Sequence, residues 1–251
     1  MKIGFNGATS MKHDLESDIV HAAAAGFGGV EIWGAKLTQY LKKNSAGALK
    51  EVFEQRGVQG LTINSLENAT LAEGARWQEV QKKMAELSKL AVASGASTVI
   101  VIPSPLTPEW RGDKERLNAK TAENLAQLAR IAEGEGARAS FEMLGFADCS
   151  VNTLGHAWEL VKRADRPNLG LTLDTFHYHV GGSTPEMIAA TPKEKIFIVH
   201  VNDCEHKSRE TLHDQHRLFP GEGAIPLPAI FDALRKIHYD GPVSIELASR
   251  R

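Results

Sequence analysis

The chain has 251 residues, long enough to bury a large hydrophobic core without support from disulfide bonds or a structural metal. Hydrophobic residues make up 42% and charged residues 24%, which are ordinary proportions for a globular protein. The net charge is −2, from 29 basic and 31 acidic residues, and the sequence contains no basic run. Because phosphate neutralisation supplies most of the affinity of nucleic-acid-binding proteins, this charge balance argues against that class.

The sequence also carries no signal for a membrane, for secretion or for disulfide bonds. No apolar stretch reaches the roughly 18 residues of a membrane span, and the opening Met1-Lys2-Ile3-Gly4-Phe5-Asn6 is too short and polar for a signal peptide. The two cysteines, Cys149 and Cys204, are far apart, which indicates free thiols in a reducing compartment. We therefore expect a cytoplasmic protein.

Eight short segments rich in β-forming residues alternate with longer helical segments along the whole chain. Several of the short segments are almost continuously apolar, as in Thr98-Val99-Ile100-Val101-Ile102. Such runs are typical of parallel strands that are buried on both faces. The predicted strands are residues 2–6, 29–33, 58–64, 98–103, 138–143, 169–174, 196–201 and 242–247.

The intervening segments have the spacing of amphipathic helices that pack on a sheet. One predicted apolar face consists of Val80, Met84, Leu87 and Ala91, and another of Leu117, Leu125, Leu128 and Ala132. Glycines that can end helices recur just before the predicted strands, at Gly26, Gly57, Gly95, Gly136 and Gly241.

The strict alternation predicts a closed (β/α)8 TIM barrel, of the α/β class, that forms a single domain over residues 1–251. An open doubly wound sheet is the alternative, but no G-x-G-x-x-G follows the first predicted strand. The eighth predicted strand ends at Leu247 and the sequence at Arg251, so the last helix of the barrel is predicted to be missing: either the sequence is truncated, or a partner or another segment covers the gap. Its absence would expose apolar surface, and we expect a homo- or hetero-oligomeric partner, such as a second copy in a dimer, to cover it.

Polar residues close the otherwise apolar predicted strands five to eight. They are Glu142, Asp174, His200 and Glu246. Strand ends of a barrel converge at one rim, and three carboxylates buried together need a compensating cation. Three oxygen ligands and one imidazole suit Mn²⁺ best, with Mg²⁺, Co²⁺ and Zn²⁺ as alternatives. Any one of these residues, taken alone, could instead be an ordinary strand-end group that reaches water.

The same residues lie within longer motifs by which the chain resembles the xylose-isomerase-like TIM barrel family of sugar phosphate isomerases and epimerases. Within that family the resemblance is greatest to the inosose (2-keto-myo-inositol) isomerases, and it covers most of the chain. The motifs are FEM at 141–143, CSVNT at 149–153, GLTLDTFHYH at 170–179, KIFIVHVND at 195–203, HRLFPGEGAI at 216–225 and VSIEL at 243–247. FNGAT at 5–9 and VEIW at 30–33 are weaker matches.

The resemblance implies that Glu142, Asp174, His200 and Glu246 bind the metal. It also implies that Glu142 and Glu246 face each other across the substrate and move its protons. In such chemistry a metal on the ketone and hydroxyl oxygens stabilises an enediolate while a flanking carboxylate removes the proton on carbon. The predicted function is isomerisation or epimerisation of a small keto polyol such as inosose.

Substrate contacts are predicted less directly. His177 lies three residues after Asp174; the resemblance implies that it binds substrate oxygens, whereas its spacing alone also allows an exposed loop histidine. Arg217 precedes the glycine-flanked turn 220–223, which can hold an anion, and the resemblance favours a role in orienting the substrate or in supporting a metal ligand over a surface position. Trp33, at the end of the second predicted strand, could stack on a sugar-like ring or fill the top of the barrel. Weaker pocket candidates are Asn6 and Glu67.

Three other functions compete with this one. A lyase on the same scaffold, such as a 3-dehydroshikimate dehydratase or a 3-keto C-glycoside deglycosidase, also begins by removing a proton next to a ketone. A DNA-repair endonuclease with three zinc ions needs about twice as many ligands and a basic face, and neither is visible in the sequence. A non-catalytic sugar-binding module would be indicated by a lost ligand, but all four are present. Residues 68–76, after the third predicted strand, do not identify the substrate.

Overall fold

Eight parallel strands close into a barrel within residues 2–247, the part of the chain that the computed structural model describes. They are β1 (Ile3–Asn6), β2 (Gly29–Trp33), β3 (Gln59–Leu66), β4 (Thr98–Val101), β5 (Arg138–Glu142), β6 (Leu169–Asp174), β7 (Ile196–Val201) and β10 (Val243–Ile245). These strands follow one another round the barrel in the order β1-β10-β7-β6-β5-β4-β3-β2. The short strands β8 (Asp203–Cys204) and β9 (Arg217–Leu218) pair with each other as an antiparallel ladder. The predicted closed barrel is confirmed.

Helices connect the strands of the barrel. They are α1 (Leu15–Ala24), α2 (Gly34–Tyr40), α3 (Ala46–Arg56), α4 (Gly74–Ala93), α5 (Lys114–Gly134), α6 (Leu154–Ala164), α7 (Thr175–Val180), α8 (Pro185–Ala189) and α9 (Leu227–Lys236). Both predicted apolar faces, on α4 and on α5, are buried as expected. Within residues 2–247, no helix combines the length and the apolar character needed to cross a membrane.

The strand bounds differ from the predicted ones mainly at the ends. β3 continues to Leu66, β4 stops at Val101, and β10 covers only Val243–Ile245. Pro103 and Pro242 have no backbone N–H to donate, which shortens the regular pairing at these ends. Glu246 follows β10, but its N–H still donates to the carbonyl of Val201 at 3.2 Å. The barrel geometry therefore extends to the residues that carry the polar side chains.

Four of the five predicted helix-ending glycines have the expected left-handed backbone. They are Gly26, Gly57, Gly95 and Gly136, with φ between 66° and 85°. The prediction for Gly241 is wrong, because α9 ends earlier and His238 (φ 57°) is the residue with the left-handed conformation. A side chain at Gly241 would instead collide with the hydroxyl oxygen of Tyr239, 2.5 Å from the added Cβ.

The outer face of β10 and β1 is partly covered. Val243 is buried, Ile245 is half-buried, and Ile3 on the neighbouring strand is 59% exposed. The predicted absence of a helix after the eighth strand concerns residues 248–251, which lie outside the described residues. The oligomeric partner stays a prediction.

Candidate metal centre

The carboxyl ends of β5, β6, β7 and β10 bring the four predicted metal ligands together. They are Glu142, Asp174, His200 and Glu246. Each has a donor atom in a group whose atoms all lie within 4.8 Å of one another. Glu142 and Asp174 end their strands, His200 is the last residue but one of β7, and Glu246 follows β10 directly. All four side chains are buried, at most 5% of each residue being exposed.

His200 lies at the centre of this cluster. Its Nδ1 atom is 3.1 Å from Oε1 of Glu142, 3.0 Å from Oε2 of Glu246 and 3.9 Å from Oδ2 of Asp174. Three carboxylates therefore gather round one ring nitrogen. Burial alone would lower the pKa of His200, but the carboxylates round the ring outweigh it and raise that pKa well above its usual value.

The other ring nitrogen of His200 contacts a carboxylate that sequence reasoning missed. Nε2 lies 3.0 Å from Oε2 of Glu31, a fully buried residue of β2. Glu31 also accepts hydrogen bonds from Oγ1 of Thr62 at 2.6 Å and from Nδ2 of Asn6 at 3.1 Å. The sequence did contain a signal, because Glu31 interrupts the apolar run Val30-Glu31-Ile32 and a carboxylate buried there needs partners.

Two asparagine amides hold Glu246. Its Oε1 atom accepts hydrogen bonds from Nδ2 of Asn6 at 3.0 Å and from Nδ2 of Asn64 at 2.9 Å. Asn6 thus uses its amide nitrogen on both Glu246 and Glu31, while its Oδ1 accepts from the N–H of Ala8 at 2.9 Å. Both polar atoms of the Asn6 side chain are engaged inside the protein, and Asn64 had not been predicted.

Asp174 is fixed by α7 and by Asn202. Its Oδ1 accepts a hydrogen bond from the N–H of His177 at 2.9 Å and so caps the N-terminus of α7. Its Oδ2 accepts from Nδ2 of Asn202 at 3.0 Å, and Oδ1 of Asn202 accepts in turn from Oγ1 of Thr175 at 2.8 Å. Thr175 and Asn202 were not predicted as site residues, although each lies next to a predicted ligand or two residues from one.

Arg217 brings a buried positive charge to the cluster. Its Nη1 donates to Oδ2 of Asp174 at 2.7 Å and lies 3.6 Å from Oε2 of Glu246. Its Nη2 lies 3.1 Å from Nε2 of His177, and because arginine has no acceptor, that ring nitrogen must be the acceptor. The proton of a neutral His177 ring is then on Nδ1, which has no hydrogen-bond partner among residues 2–247.

The titratable groups of the cluster differ in their pKa values. Burial, together with Glu246 and Asp174, raises the pKa of Glu142 to about 7. Burial lowers the pKa of His177 to about 4, so this imidazole is neutral at neutral pH. Burial alone would raise the pKa of Asp174, but Arg217 and the nearby histidines hold it well below its usual value. The cluster thus has one carboxyl group that titrates near neutrality and one that stays ionised.

Two grooves open among the loops at the same end of the barrel. Trp33, a predicted substrate contact, lines a groove of about 630 Å³ together with Lys36, Tyr40 and residues 11–16. The other groove, of about 750 Å³, is lined in part by Phe146, whose ring packs edge-on against the ring of His177 with centroids 5.1 Å apart. Glu67, a weaker candidate, is exposed in the loop after β3.

The donor set fits a divalent metal ion. Three carboxylate oxygens and one imidazole nitrogen are typical ligands of Mn²⁺, Mg²⁺ and Co²⁺, and they also bind Zn²⁺. Buried carboxylates that face one another repel, so a cation between them would lower the cost of burial. The far nitrogen of His200 contacts the carboxylate of Glu31, and metal-binding histidines usually make a hydrogen bond of this kind to a carboxylate, a backbone carbonyl or water.

The model of the xylose isomerase-like TIM barrel family matches residues 19–251. The chain belongs to this family. An inosose isomerase of Bacillus velezensis is 33% identical over 249 residues, which are 98% of this chain and 88% of that enzyme. A 3-dehydroshikimate dehydratase of Pseudomonas aeruginosa is 32% identical over 242 residues, which are 95% of this chain but only 37% of that enzyme.

A solved structure has the same fold over the full length. The crystal structure of the IolI protein with a bound zinc atom has a TM-score of 0.95 and 32% identity to this chain. The match covers 100% of this chain and 90% of that one. The predicted family and the (β/α)8 barrel are therefore confirmed, and the relatives include metal-containing and isomerising proteins.

Proposed function

We propose that this protein is a divalent-metal-dependent isomerase that moves protons between neighbouring carbons of a keto polyol of the inosose type. The observation that carries the proposal is the convergence of three carboxylates and an imidazole, with donor atoms within 4.8 Å, at one rim of a xylose isomerase-like barrel. The similarity to inosose isomerases over nearly the whole chain supports the substrate class.

Glu142, Asp174, His200 and Glu246 would hold the metal. When bound, it supplies a positive charge that polarises a carbonyl group and its neighbouring hydroxyl, and so acidifies the C–H bond beside the carbonyl. Mn²⁺ is our first expectation, because three of the four donors are carboxylate oxygens. The zinc atom in the related IolI structure supports Zn²⁺ as the alternative.

Glu142 and Glu246 would move the protons. They belong to β5 and to the end of β10, three places apart round the eight-stranded barrel, so they reach the cluster from well-separated directions. In the metal-free protein burial raises the pKa of Glu142 to about 7, and a bound metal would lower it, which keeps Glu142 ionised and able to accept a proton at neutral pH. Asn6 and Asn64 hold Oε1 of Glu246, which leaves Oε2 on the side of His200. A proton leaves the hydroxyl-bearing carbon beside the carbonyl, the hydroxyl proton moves to the former carbonyl oxygen, and a proton returns to the former carbonyl carbon, which converts one keto polyol into its isomer.

His177, Arg217 and Trp33 would contact the substrate. The Nδ1–H of neutral His177 is a buried donor without a partner among residues 2–247, and a substrate oxygen would satisfy it. Arg217 fixes the ring of His177 and places a guanidinium beside two of the ligands, where it can bind a substrate oxygen. Asn6 enters the proposal through its hydrogen bond to Glu246 rather than through a free donor for the substrate.

The direct test is to incubate the purified protein and Mn²⁺ with 2-keto-myo-inositol in D₂O and to follow the product by NMR. We expect the ketone to move to a neighbouring carbon, with deuterium entering at the carbon that receives the proton. Glu246→Gln is the matched control and should leave the substrate unchanged. Absence of both conversion and exchange in the metal-loaded protein would contradict the proposal.

A lyase is the second candidate, and the dehydratase relative favours it. Elimination begins with the same proton removal, after which a hydroxyl group leaves from the neighbouring carbon instead of a proton returning. Loss of water from 3-dehydroshikimate yields an aromatic product, which ultraviolet absorbance detects. Formation of that product, together with no isomerisation of the inosose, would replace the isomerase with the lyase.

A further inference from the structure

Glu31 is the buried carboxylate on the far side of His200 from the proposed metal. It lies in the middle of β2, and its partners come from three other strands: His200 of β7, Thr62 of β3 and Asn6 of β1. Oε2 contacts the ring nitrogen and accepts the Thr62 hydroxyl, while Oε1 accepts the Asn6 amide. Burying a carboxylate costs free energy, so we expect a buried carboxylate that residues of three other strands contact to have a role beyond packing.

The imidazole ring has two nitrogens, and the structure gives them different surroundings. Nδ1 lies among the three carboxylates of the cluster, whereas Nε2 lies 3.0 Å from Oε2 of Glu31. A metal bound to Nδ1 requires that nitrogen to be unprotonated, so the remaining proton must be on Nε2. Glu31 is placed to accept that proton in a hydrogen bond, which fixes the tautomer and the plane of the ring and makes Nδ1 a stronger ligand.

Glu31 is also connected to a second ligand. The amide nitrogen of Asn6 lies 3.1 Å from Oε1 of Glu31 and 3.0 Å from Oε1 of Glu246. One amide group therefore bridges the two carboxylates with its two N–H bonds. A change at Glu31 would release both the His200 ring and one of the two amides that orient Glu246.

We propose that Glu31 is a positioning residue for the metal centre, which acts through His200 and, by way of Asn6, through Glu246. This inference rests on the proposed metal site. It predicts that loss of the Glu31 carboxylate weakens metal binding without removing any ligand. Partners of this kind typically change metal affinity by about 10–100-fold.

The test begins with a titration of the metal-free wild-type protein with Co²⁺, which calorimetry and visible absorption spectroscopy monitor. If the wild-type protein binds no Co²⁺, the proposed function fails before the role of Glu31 is examined. If it binds Co²⁺, Glu31→Gln is compared with it. We expect a dissociation constant about 10–100-fold higher and an altered visible spectrum, because the ring orientation of His200 changes.

Two further variants separate positioning from folding. Thr172→Val is the matched control, because it also removes a buried hydroxyl group, one that is hydrogen-bonded to Ser140 and not to Glu31. The Thr172→Val protein should bind Co²⁺ like the wild type. Thr62→Val removes one hydrogen bond from Glu31 and should weaken Co²⁺ binding by a smaller factor than Glu31→Gln. Wild-type affinity and spectrum in a folded Glu31→Gln protein would overturn the proposal. Should Glu31→Gln fail to fold, the same result in Thr62→Val would overturn it.

Discussion

Two groups of buried polar residues surround the His200 ring, and they are built differently. On the Nδ1 side, Glu142, Asp174 and Glu246 bring three carboxylates to one nitrogen. On the Nε2 side, a single carboxylate, Glu31, is surrounded by hydroxyl and amide donors. In the first group Arg217 is paired with Asp174, and a metal ion would balance the remaining carboxylates, while the second group has hydrogen-bond donors on both oxygens of Glu31. Substitutions on the first side remove a proposed ligand and should abolish the chemistry, whereas those on the second should weaken metal binding without removing a ligand.

The largest effect is expected from Glu246→Gln. The amide keeps the shape of the side chain but is a weaker metal ligand and cannot carry a proton between carbons, so kcat at saturating metal should fall by about 10²–10⁴-fold. Stopped assays on inosose in the metal-loaded protein measure this loss, and thermal unfolding of the metal-free protein checks that the barrel persists. Glu86→Gln, at an exposed glutamate on α4, is the matched control and should keep wild-type turnover. Unchanged turnover in Glu246→Gln would contradict the role in the chemistry that is proposed for the carboxylates on the Nδ1 side.

Arg217→Met tests how much the Arg217 guanidinium stabilises the buried carboxylates on the Nδ1 side of His200. The substitution leaves Asp174 buried without its cation, and broken buried ion pairs cost about 3–5 kcal/mol. We expect the free energy of unfolding of the metal-free protein to fall by about that amount, as measured by urea titration. Arg235→Met, which breaks an exposed ion pair on α9, should change it by less than about 1 kcal/mol. Recovery of the Arg217→Met protein on addition of metal would indicate that both cations neutralise the same carboxylates.

The pH dependence of metal binding sharpens the comparison, because a proton on the Nδ1 side competes with the metal. The folded pKa of Glu142, about 7, lies above its ordinary value of 4.5. In the metal-free protein, the contribution of Glu142 to the free energy of unfolding is therefore complete below pH 4.5 and is lost as the pH rises through 7. Metal must displace this proton, so below pH 7 its affinity should rise by about tenfold or more per pH unit. Calorimetry in two buffers measures the proton release, and a pH-independent affinity below pH 7 would contradict the assignment.

The two sides of His200 also mark how far the sequence could be read. Glu142, Asp174, His200 and Glu246 were predictable because each closes an apolar strand and parallel strand ends meet at one rim. Glu31 lies within a strand of the same barrel, so strand-end reasoning passes over it. Its pairing with His200 joins residues 169 positions apart and depends on the register of strands that are not adjacent.

The amides Asn64 and Asn202 illustrate a second limit. Each donates to one cluster carboxylate at 2.9–3.0 Å, but asparagine at the end of a predicted strand is also typical of a turn. The sequence therefore indicates the charged residues, whose burial demands compensation, more readily than the neutral residues that satisfy them. The outline of the barrel was predictable for a similar reason, since long apolar runs leave few alternatives to a buried strand.

The smallest effect is expected at Trp33, which lies outside both groups. Its ring lines the groove of about 630 Å³ beside Lys36 and Tyr40. The side chains of β1, β2 and β3 that form hydrogen bonds with the cluster are instead Asn6, Glu31 and Asn64. If the ring contacts the substrate, Trp33→Ala should raise KM by several-fold and leave both kcat and the Co²⁺ affinity unchanged, because stacking on a polyol contributes binding without touching the reacting atoms. Trp77→Ala, at a partly buried tryptophan on α4 that packs on the core, is the matched control: it should lower stability and leave KM as it is. A fall in kcat or in metal affinity in Trp33→Ala would instead connect this groove to the Nδ1 side of His200. The residues that line the groove would then form a third group that affects the metal centre.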